Sequence, residues 1–308
     1  MTALLRIGTR GSPLALAQAH QTRDRLAAAH AELAPPGAIE VIVIRTTGDR
    51  IQDRPLAEVG GKGLFTKEIE EALLAHDIDL AVHSMKDVPT WLPDGLDIAC
   101  LLPREDPRDA WFSRSGADLG RLAPGAIVGT ASLRRQAQIL ARRPDLTVIP
   151  LRGNVETRLR KMAEGVCDAT VLALAGLRRL GLADRITSVL DPDVMLPAVG
   201  QGAIGIEIRS DDDQTHGWLS ALHCPETGRR VAAERAALAV LDGSCRTPIA
   251  ALARLSEGVL ALSALVARPD GSMIWRAVRS GDPGDATRLG TDAGAELKAL
   301  LPADFRVS

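Results

Sequence analysis

Two stretches of this chain, far apart in sequence, open in the same way. A short apolar strand runs into Gly-Thr, then a serine, then a helical pattern. The first copy reads Ile7-Gly8-Thr9-Arg10-Gly11-Ser12-Pro13-Leu14 and the second Val128-Gly129-Thr130-Ala131-Ser132-Leu133-Arg134-Arg135. Ser12 and Ser132 stand where a hydroxyl caps the free N–H groups of a helix's first turn, and Pro13 suits a first helical position that needs no donor. The match continues through a strand (Ile39 to Arg45; Leu146 to Arg152), a helix (Thr66 to Ala75; Val155 to Glu164) and an Asp-led strand (Asp79 to His83; Asp168 to Ala173). Strands alternating with helices imply two α/β lobes with largely parallel sheets. Chance likeness between two generic strand–helix–strand units is the plainer alternative; the run of matched elements favours duplication.

At 308 residues the chain exceeds the usual span of one domain. From about residue 225 the pattern changes. A helix over Thr227 to Leu241 leads to Val259 to Arg268, then Pro269-Asp270-Gly271-Ser272, then Met273 to Val278. That is a hairpin signal and implies a small α+β C-terminal domain.

The 37 Lys and Arg against 39 Asp and Glu argue against a surface built to grip nucleic acid. The absence of Tyr, with only three Phe and four Trp, disfavours base stacking. The first residues lack a basic region followed by a long apolar run, and the longest apolar stretch, Ala169 to Leu177, is too short to span a bilayer. A soluble cytoplasmic chain with no membrane partner is expected.

Positive charge is concentrated between Gly129 and Gly181, where ten cations face four acids. Arg134 and Arg135 fall in the first turn of the Ser132 helix, where cations oppose the helix dipole. A merely solvated basic face fits such placement poorly. Arg152 lies at a strand's carboxyl end, Arg158 on the next helix and Arg10 at the matching junction of the first copy. Ligands of open α/β sheets bind at those carboxyl ends, and Arg reads carboxylate or phosphate through paired donors. These placements imply a cleft for a multiply anionic ligand. Gly60-Gly61-Lys62-Gly63 is a permissive loop, either a lid or only a turn before the Thr66 helix.

His83-Ser84-Met85-Lys86-Asp87-Val88-Pro89 follows an apolar strand and faces the same cleft. Side chains alternate along a strand, so His83 and Ser84 point apart and no Ser-His-Asp triad is implied. Ser84 and Lys86 would share a face if the strand persisted, which leaves a Ser–Lys nucleophile as a minor expectation. Asp87 among cations stays ionised and can serve as a counter-charge for a cationic intermediate; an Asp capping a turn is the alternative. The four cysteines show no Cys-x-x-Cys spacing. Cys100 and Cys167 read as core or strand residues and Cys224 as a linker residue. Cys245 sits in a Gly/Pro-punctuated loop beside Arg246, a setting that favours the thiolate; a free loop cysteine is otherwise incidental.

Taken in order, seven blocks resemble the hydroxymethylbilane synthase (porphobilinogen deaminase) family over nearly the whole chain: Arg6 to Ala15, Gly60 to Phe65, His83 to Pro89, Gly129 to Gln136, Leu151 to Asn154, Leu196 to Gly202, and Gly243-Ser244-Cys245 with Pro248. Arg246-Thr247 departs from the Gln and Val common in the family. The resemblance implies two lobes like those of type II periplasmic binding proteins, a cleft between them, and the small third domain; with Gln201 where the chain would recross into the first lobe, the implied division is 1–102 with 200–221, then 103–199, then 222–308. It implies a usually monomeric enzyme that joins four porphobilinogen units head to tail, releasing ammonia at each, and then hands on hydroxymethylbilane. The implied cofactor is a dipyrromethane held by a thioether to Cys245, with no metal. Asp87 would be the catalytic carboxylate. Arg10, Ser12, Ser84, Lys86, Ser132, Arg134, Arg135, Arg152, Arg158 and Arg179 would bind cofactor and substrate carboxylates, assisted by Thr130, Asn154 and Gln201. Lys62 and Phe65 would belong to a covering loop.

The residues suit that chemistry. Each porphobilinogen brings an acetate and a propionate, so a growing chain needs an arginine-rich wall. Loss of ammonia leaves an electron-poor azafulvene, and the attacking ring then becomes a cationic pyrrole; a fixed carboxylate beside the pyrrole N–H groups would stabilise both stages. A non-enzymatic two-lobe binding protein for small polyanions would also account for the lobes and arginines. It leaves Cys245, Asp87 and the third domain without a role.

Overall fold

The computed structural model describes residues 3–50, 63–241, 247–302 and 305. Lys62 and Cys245, both named above, lie outside the described residues. The described residues form two compact units, one from 3–50, 63–105 and 203–228, the other from 106–202, 229–241, 247–302 and 305.

The first unit opens with β1 (Leu5–Arg10) and α1 (Pro13–Ala29), then β2 (Ile39–Ile44), the short α2 (Thr47–Arg50), α3 (Lys67–Leu74), β3 (Leu80–Ser84) and β4 (Leu96–Leu101). The chain then builds the lobe of the second unit: β5 (Asp109–Ser113), β6 (Ile127–Gly129), α4 (Leu133–Arg142), β7 (Thr147–Ile149), α5 (Val155–Ala163), β8 (Ala169–Ala173), α6 (Leu174–Arg179) and β9 (Ser188–Val189). It returns to the first unit for β10 (Ile204–Arg209) and α7 (Asp213–Ser220). It ends with α8 (Pro225–Val240), β11 (Ile249–Ser256), β12 (Val259–Ala267), β13 (Ile274–Gly281) and α9 (Ala286–Leu300).

The duplication reappears as topology. Among the described residues one five-stranded sheet has the order β2-β1-β3-β10-β4 and the other β7-β6-β8-β5-β9. In each, three strands of the repeat pair in parallel, Ile7 opposite Val41 in one and Val128 opposite Val148 in the other. In each, the next strand runs antiparallel to both neighbours. The sheets are therefore mixed rather than largely parallel. The cause is chain path: β5 and β10 come from the segments that cross from one lobe to the other, and they enter reversed.

The repeat helices start as their caps dictate. Ser12 Oγ accepts from Ala15 N–H at 3.2 Å, Ser132 Oγ from Arg135 N–H at 3.5 Å and Asn154 Oδ1 from Thr157 N–H at 2.8 Å. Apolar alternation fixes each sheet's register. In the first lobe, Leu5, Ile7, Leu80, Val82, Ile204, Ile206 and Ile208 pack on Ala19 and Leu26 of α1. In the second, Trp111, Val128, Ala169 and Val171 form the corresponding core.

The C-terminal part is the antiparallel sheet β11-β12-β13, whose hairpin was expected and whose third strand, β11, was not. One sheet face buries Leu260, Leu262, Ala264 and Val266 against Leu289, Ala293 and Leu297 of α9. The other buries Leu252, Leu265 and Ala267 against Ala137 of α4 and Leu196. α8 and α9 approach closely because α9 carries glycine: a Cβ on Gly290 would lie 2.1 Å from the carbonyl oxygen of Ala233.

Candidate active site

In the first unit a pocket of about 400 Å³, counted out to open solvent, lies where the carboxyl ends of β1 and β3 meet the N-termini of α1 and α3. Arg10, Ser12, Phe65, His83, Ser84 and Asp87 line it. This is where an α/β sheet offers free strand ends and helix N–H groups. β3 ends at Ser84, and residues 85–87 form a tight helical turn. The strand does not persist, so the shared face imagined for Ser84 and Lys86 does not form. His83 and Ser84 point apart: the imidazole reaches Glu207, while Ser84 Oγ accepts from Gln18 Nε2 at 2.9 Å. Lys86 is half-buried.

Arg10 is committed within the pocket wall. Its guanidinium is paired with Asp49 and lies 4.1 Å from the centre of the Phe65 ring. Burial alone would raise the Asp49 carboxyl; Arg10 and Thr46 together hold it below its ordinary value. Phe65 reaches this position because position 48 is glycine, where a Cβ would stand 2.3 Å from the ring.

The second unit holds most of the predicted arginines. Arg134 and Arg135, each 5% exposed, turn inward to Asp109, which is fully buried at the start of β5. Arg134 Nη1 donates to Asp109 Oδ2 at 2.8 Å and Arg135 Nη2 to Oδ1 at 2.7 Å. Gln201 Nε2 donates to Oδ1 at 2.9 Å. Burial would raise the Asp109 carboxyl, but the two guanidinium groups hold it far below the ordinary range. The anion these two cations meet is thus the protein's own. The cluster still carries two guanidinium charges for one carboxylate, and Arg135 Nε is buried with no hydrogen-bond partner among the described residues.

Thr130 is buried, and its Oγ1 accepts from Ser132 N–H at 3.2 Å. Arg152 is half-buried after β7. Arg158 Nε donates to the Gly153 carbonyl at 2.7 Å, and Asn154 caps α5. Arg179 Nη2 donates to the Gly202 carbonyl at 2.9 Å. Asp109 and Glu207 were missed by sequence reading. The signal for each is an acid inside an otherwise apolar strand, Asp109-Ala110-Trp111-Phe112 and Ile204-Gly205-Ile206-Glu207-Ile208.

Two of the described cysteines are poor nucleophiles. Cys100 and Cys167 are buried, and burial pushes the Cys100 thiol up to about 12 and raises that of Cys167.

The family model described as "Porphobilinogen deaminase, dipyromethane cofactor binding domain" matches residues 5–217 of this chain, and "Porphobilinogen deaminase, C-terminal domain" matches residues 229–299. The chain belongs to the porphobilinogen deaminase family. Its relatives include the chloroplastic porphobilinogen deaminase of Oryza sativa subsp. japonica, 58% identical over 98% of this chain and 86% of that protein. The porphobilinogen deaminase of Paracoccus denitrificans is 57% identical over 98% of this chain and 96% of that protein. Among solved structures, the Bordetella pertussis BvgS VFT2 domain aligns at a TM-score of 0.41 and 15% identity, covering 70% of this chain and 84% of that one. Among the described residues no helix is long and apolar enough to cross a membrane.

The residues present suit the dipyrromethane that the family model names. A group made of two porphobilinogen units carries four carboxylates, and the Arg134–Arg135–Asp109 cluster has a surplus cation and an unmatched buried donor.

Proposed function

We infer that this protein is a porphobilinogen deaminase, a transferase of tetrapyrrole synthesis. It joins four porphobilinogen molecules head to tail with loss of ammonia and yields hydroxymethylbilane. The observation that carries this is the match of both family models together with 57–58% identity over 98% of the chain. A non-enzymatic binding protein is not favoured. The three sheets are read as lobe 1 (1–102 with 200–221), lobe 2 (103–199) and the C-terminal domain (222–308).

The finer roles extend that reading. Cys245 would hold the dipyrromethane by a thioether. When bound, that group supplies the ring carbon to which the first substrate is joined. Asp87, in the pocket at the end of β3, would stabilise the positive charge left on each substrate as its ammonia departs, and would orient the pyrrole N–H. Arg10, Ser12, Ser84 and Lys86 would hold carboxylates beside it. Thr130, Ser132, Arg134, Arg135, Arg152, Asn154, Arg158, Arg179 and Gln201, all of the second unit, would bind carboxylates of cofactor and substrate. Asp109 would keep Arg134 and Arg135 ordered and charged. Lys62 and Phe65 would cover the reacting ring, and tethering makes each coupling effectively intramolecular. The enzyme is read as a cytoplasmic monomer that passes its product to the enzyme consuming it.

The test is incubation of the purified protein with porphobilinogen. One ammonia released per substrate consumed, with hydroxymethylbilane as product, supports the function. Substrate bound but unconsumed would return the chain to the binding-protein class.

A further inference from the structure

Asp49 was not among the residues expected from the sequence, and the reading above gives it no task. It stands in the short α2 that follows β2 in the first unit. Three hydrogen bonds tie this turn to the start of α3. Thr47 N–H donates to Glu68 Oε1 at 2.8 Å, Thr47 Oγ1 donates to the same oxygen at 2.5 Å, and Gly48 N–H donates to the Leu64 carbonyl at 2.8 Å. Thr46 is fully buried, and its Oγ1 donates to Asp49 Oδ2 at 2.8 Å. The carboxylate is therefore fixed from its own side of the pair it makes with Arg10.

A guanidinium carries five N–H donors in one plane and offers two edges on which a carboxylate can be received by paired donors. Asp49 occupies one edge. Arg10 Nε donates to both of its oxygens at 3.2 Å, and Nη2 donates to Oδ1. The Phe65 ring covers one face, its centre 4.1 Å from the guanidinium carbon. What remains is the second edge, made by Nη1 and the outer proton of Nη2. Nη1 has no partner among the described residues, and Arg10 lines the pocket together with Ser12, Ser84 and Asp87. A long side chain loose in water gives up rotamer freedom when it binds an anion; one held at an edge and a face has given it up already.

We propose that Asp49 is a positioning residue for the substrate: with Phe65 it clamps the Arg10 guanidinium so that the Nη1–Nη2 edge receives one carboxylate of porphobilinogen in the Asp87 pocket. This deepens the deaminase reading and rests on it. Two carboxylates then share one guanidinium, and the internal one sets where the external one sits.

Steady-state rates with porphobilinogen test this on full-length proteins of equal covalent cofactor content. Asp49→Asn keeps the shape of the side chain and removes the charge that holds Arg10. KM rises about tenfold, which is what losing one hydrogen bond to a charged group is worth, while kcat holds because Asp87 is untouched. Arg10→Gln raises KM as well. In the Arg10→Gln background Asp49→Asn raises KM no further, because the carboxylate acts only through Arg10; a residue that merely stabilised the lobe would add its full effect. If Asp49→Asn folds poorly, Thr46→Val decides. It removes the hydroxyl that steadies the carboxylate and raises KM about threefold, the share of one ordinary hydrogen bond. An unchanged KM in Asp49→Asn, or in Thr46→Val where the first variant does not fold, overturns the proposal. So does a lowered KM, which would make Asp49 a competitor of the substrate for Arg10, or a full additional rise in the Arg10→Gln background. Absence of ammonia release by the unaltered enzyme would instead refute the deaminase reading.

Discussion

Asp109→Asn tests the buried arginine cluster. The substitution keeps the shape of the side chain and one carbonyl acceptor but removes the charge that compensates Arg134 and Arg135. Arg134 and Arg135 are each 5% exposed, and their donors lie 2.8 and 2.7 Å from the carboxylate. Breaking a buried pair from one side costs about 3–5 kcal/mol, because the remaining charge stays desolvated. Two cations are stranded here, so the upper part of that range is expected. That is a large share of the ~5–15 kcal/mol that separates folded from unfolded protein. An exposed pair gives the control: Arg160 and Glu164, 62% and 52% exposed, form an i,i+4 bridge whose loss in Glu164→Gln costs about 0.5 kcal/mol or less. Denaturant unfolding followed by circular dichroism measures both. The pH dependence is also determined. The folded Asp109 carboxyl is held below its unfolded value, so its contribution is complete above the unfolded pKa of about 4 and is lost only as pH falls through the depressed value. The gap between the two proteins should be constant from weakly acidic to weakly alkaline pH and close in strong acid. A gap below about 1 kcal/mol, or one that closes near neutrality, would refute the electrostatic account of the cluster.

Other perturbations follow from the same geometry. Asp87→Ala should lower kcat by about 100-fold or more while leaving the unfolding midpoint unchanged, since it removes preorganised charge from a pocket wall; near-normal turnover would remove Asp87 from the chemistry. Gly290→Ala should destabilise the C-terminal part by about 1–3 kcal/mol, because its Cβ would meet the Ala233 carbonyl at 2.1 Å; an unchanged midpoint in thermal unfolding would show that α8 and α9 can separate without cost.

The repeat was legible because its signals are local. Gly8-Thr9 and Gly129-Thr130, the capping serines and the alternating strands each declare themselves within a few residues. The antiparallel strands β5 and β10 did not, since a buried five- or six-residue apolar run carries no mark of direction or of the sheet it joins. The arginine reading was half visible. Two cations at a helix N-terminus announce that an anion is wanted, but the one they find, Asp109, arrives through tertiary packing. The same holds for His83, whose strand was evident and whose partner Glu207 comes from a strand far along the chain. β7 came out shorter than its expected counterpart, Thr147–Ile149, with Pro150 next in sequence and without an N–H to extend the ladder.

The account turns on Cys245 as the point where the chain's primer is attached. Intact mass spectrometry of the protein and of Cys245→Ala, each after exposure to porphobilinogen, tests this most directly. The account predicts that the unaltered protein exceeds its sequence mass by a covalently held dipyrromethane and that the variant does not. Equal, unmodified masses, or the same adduct on both, would contradict it.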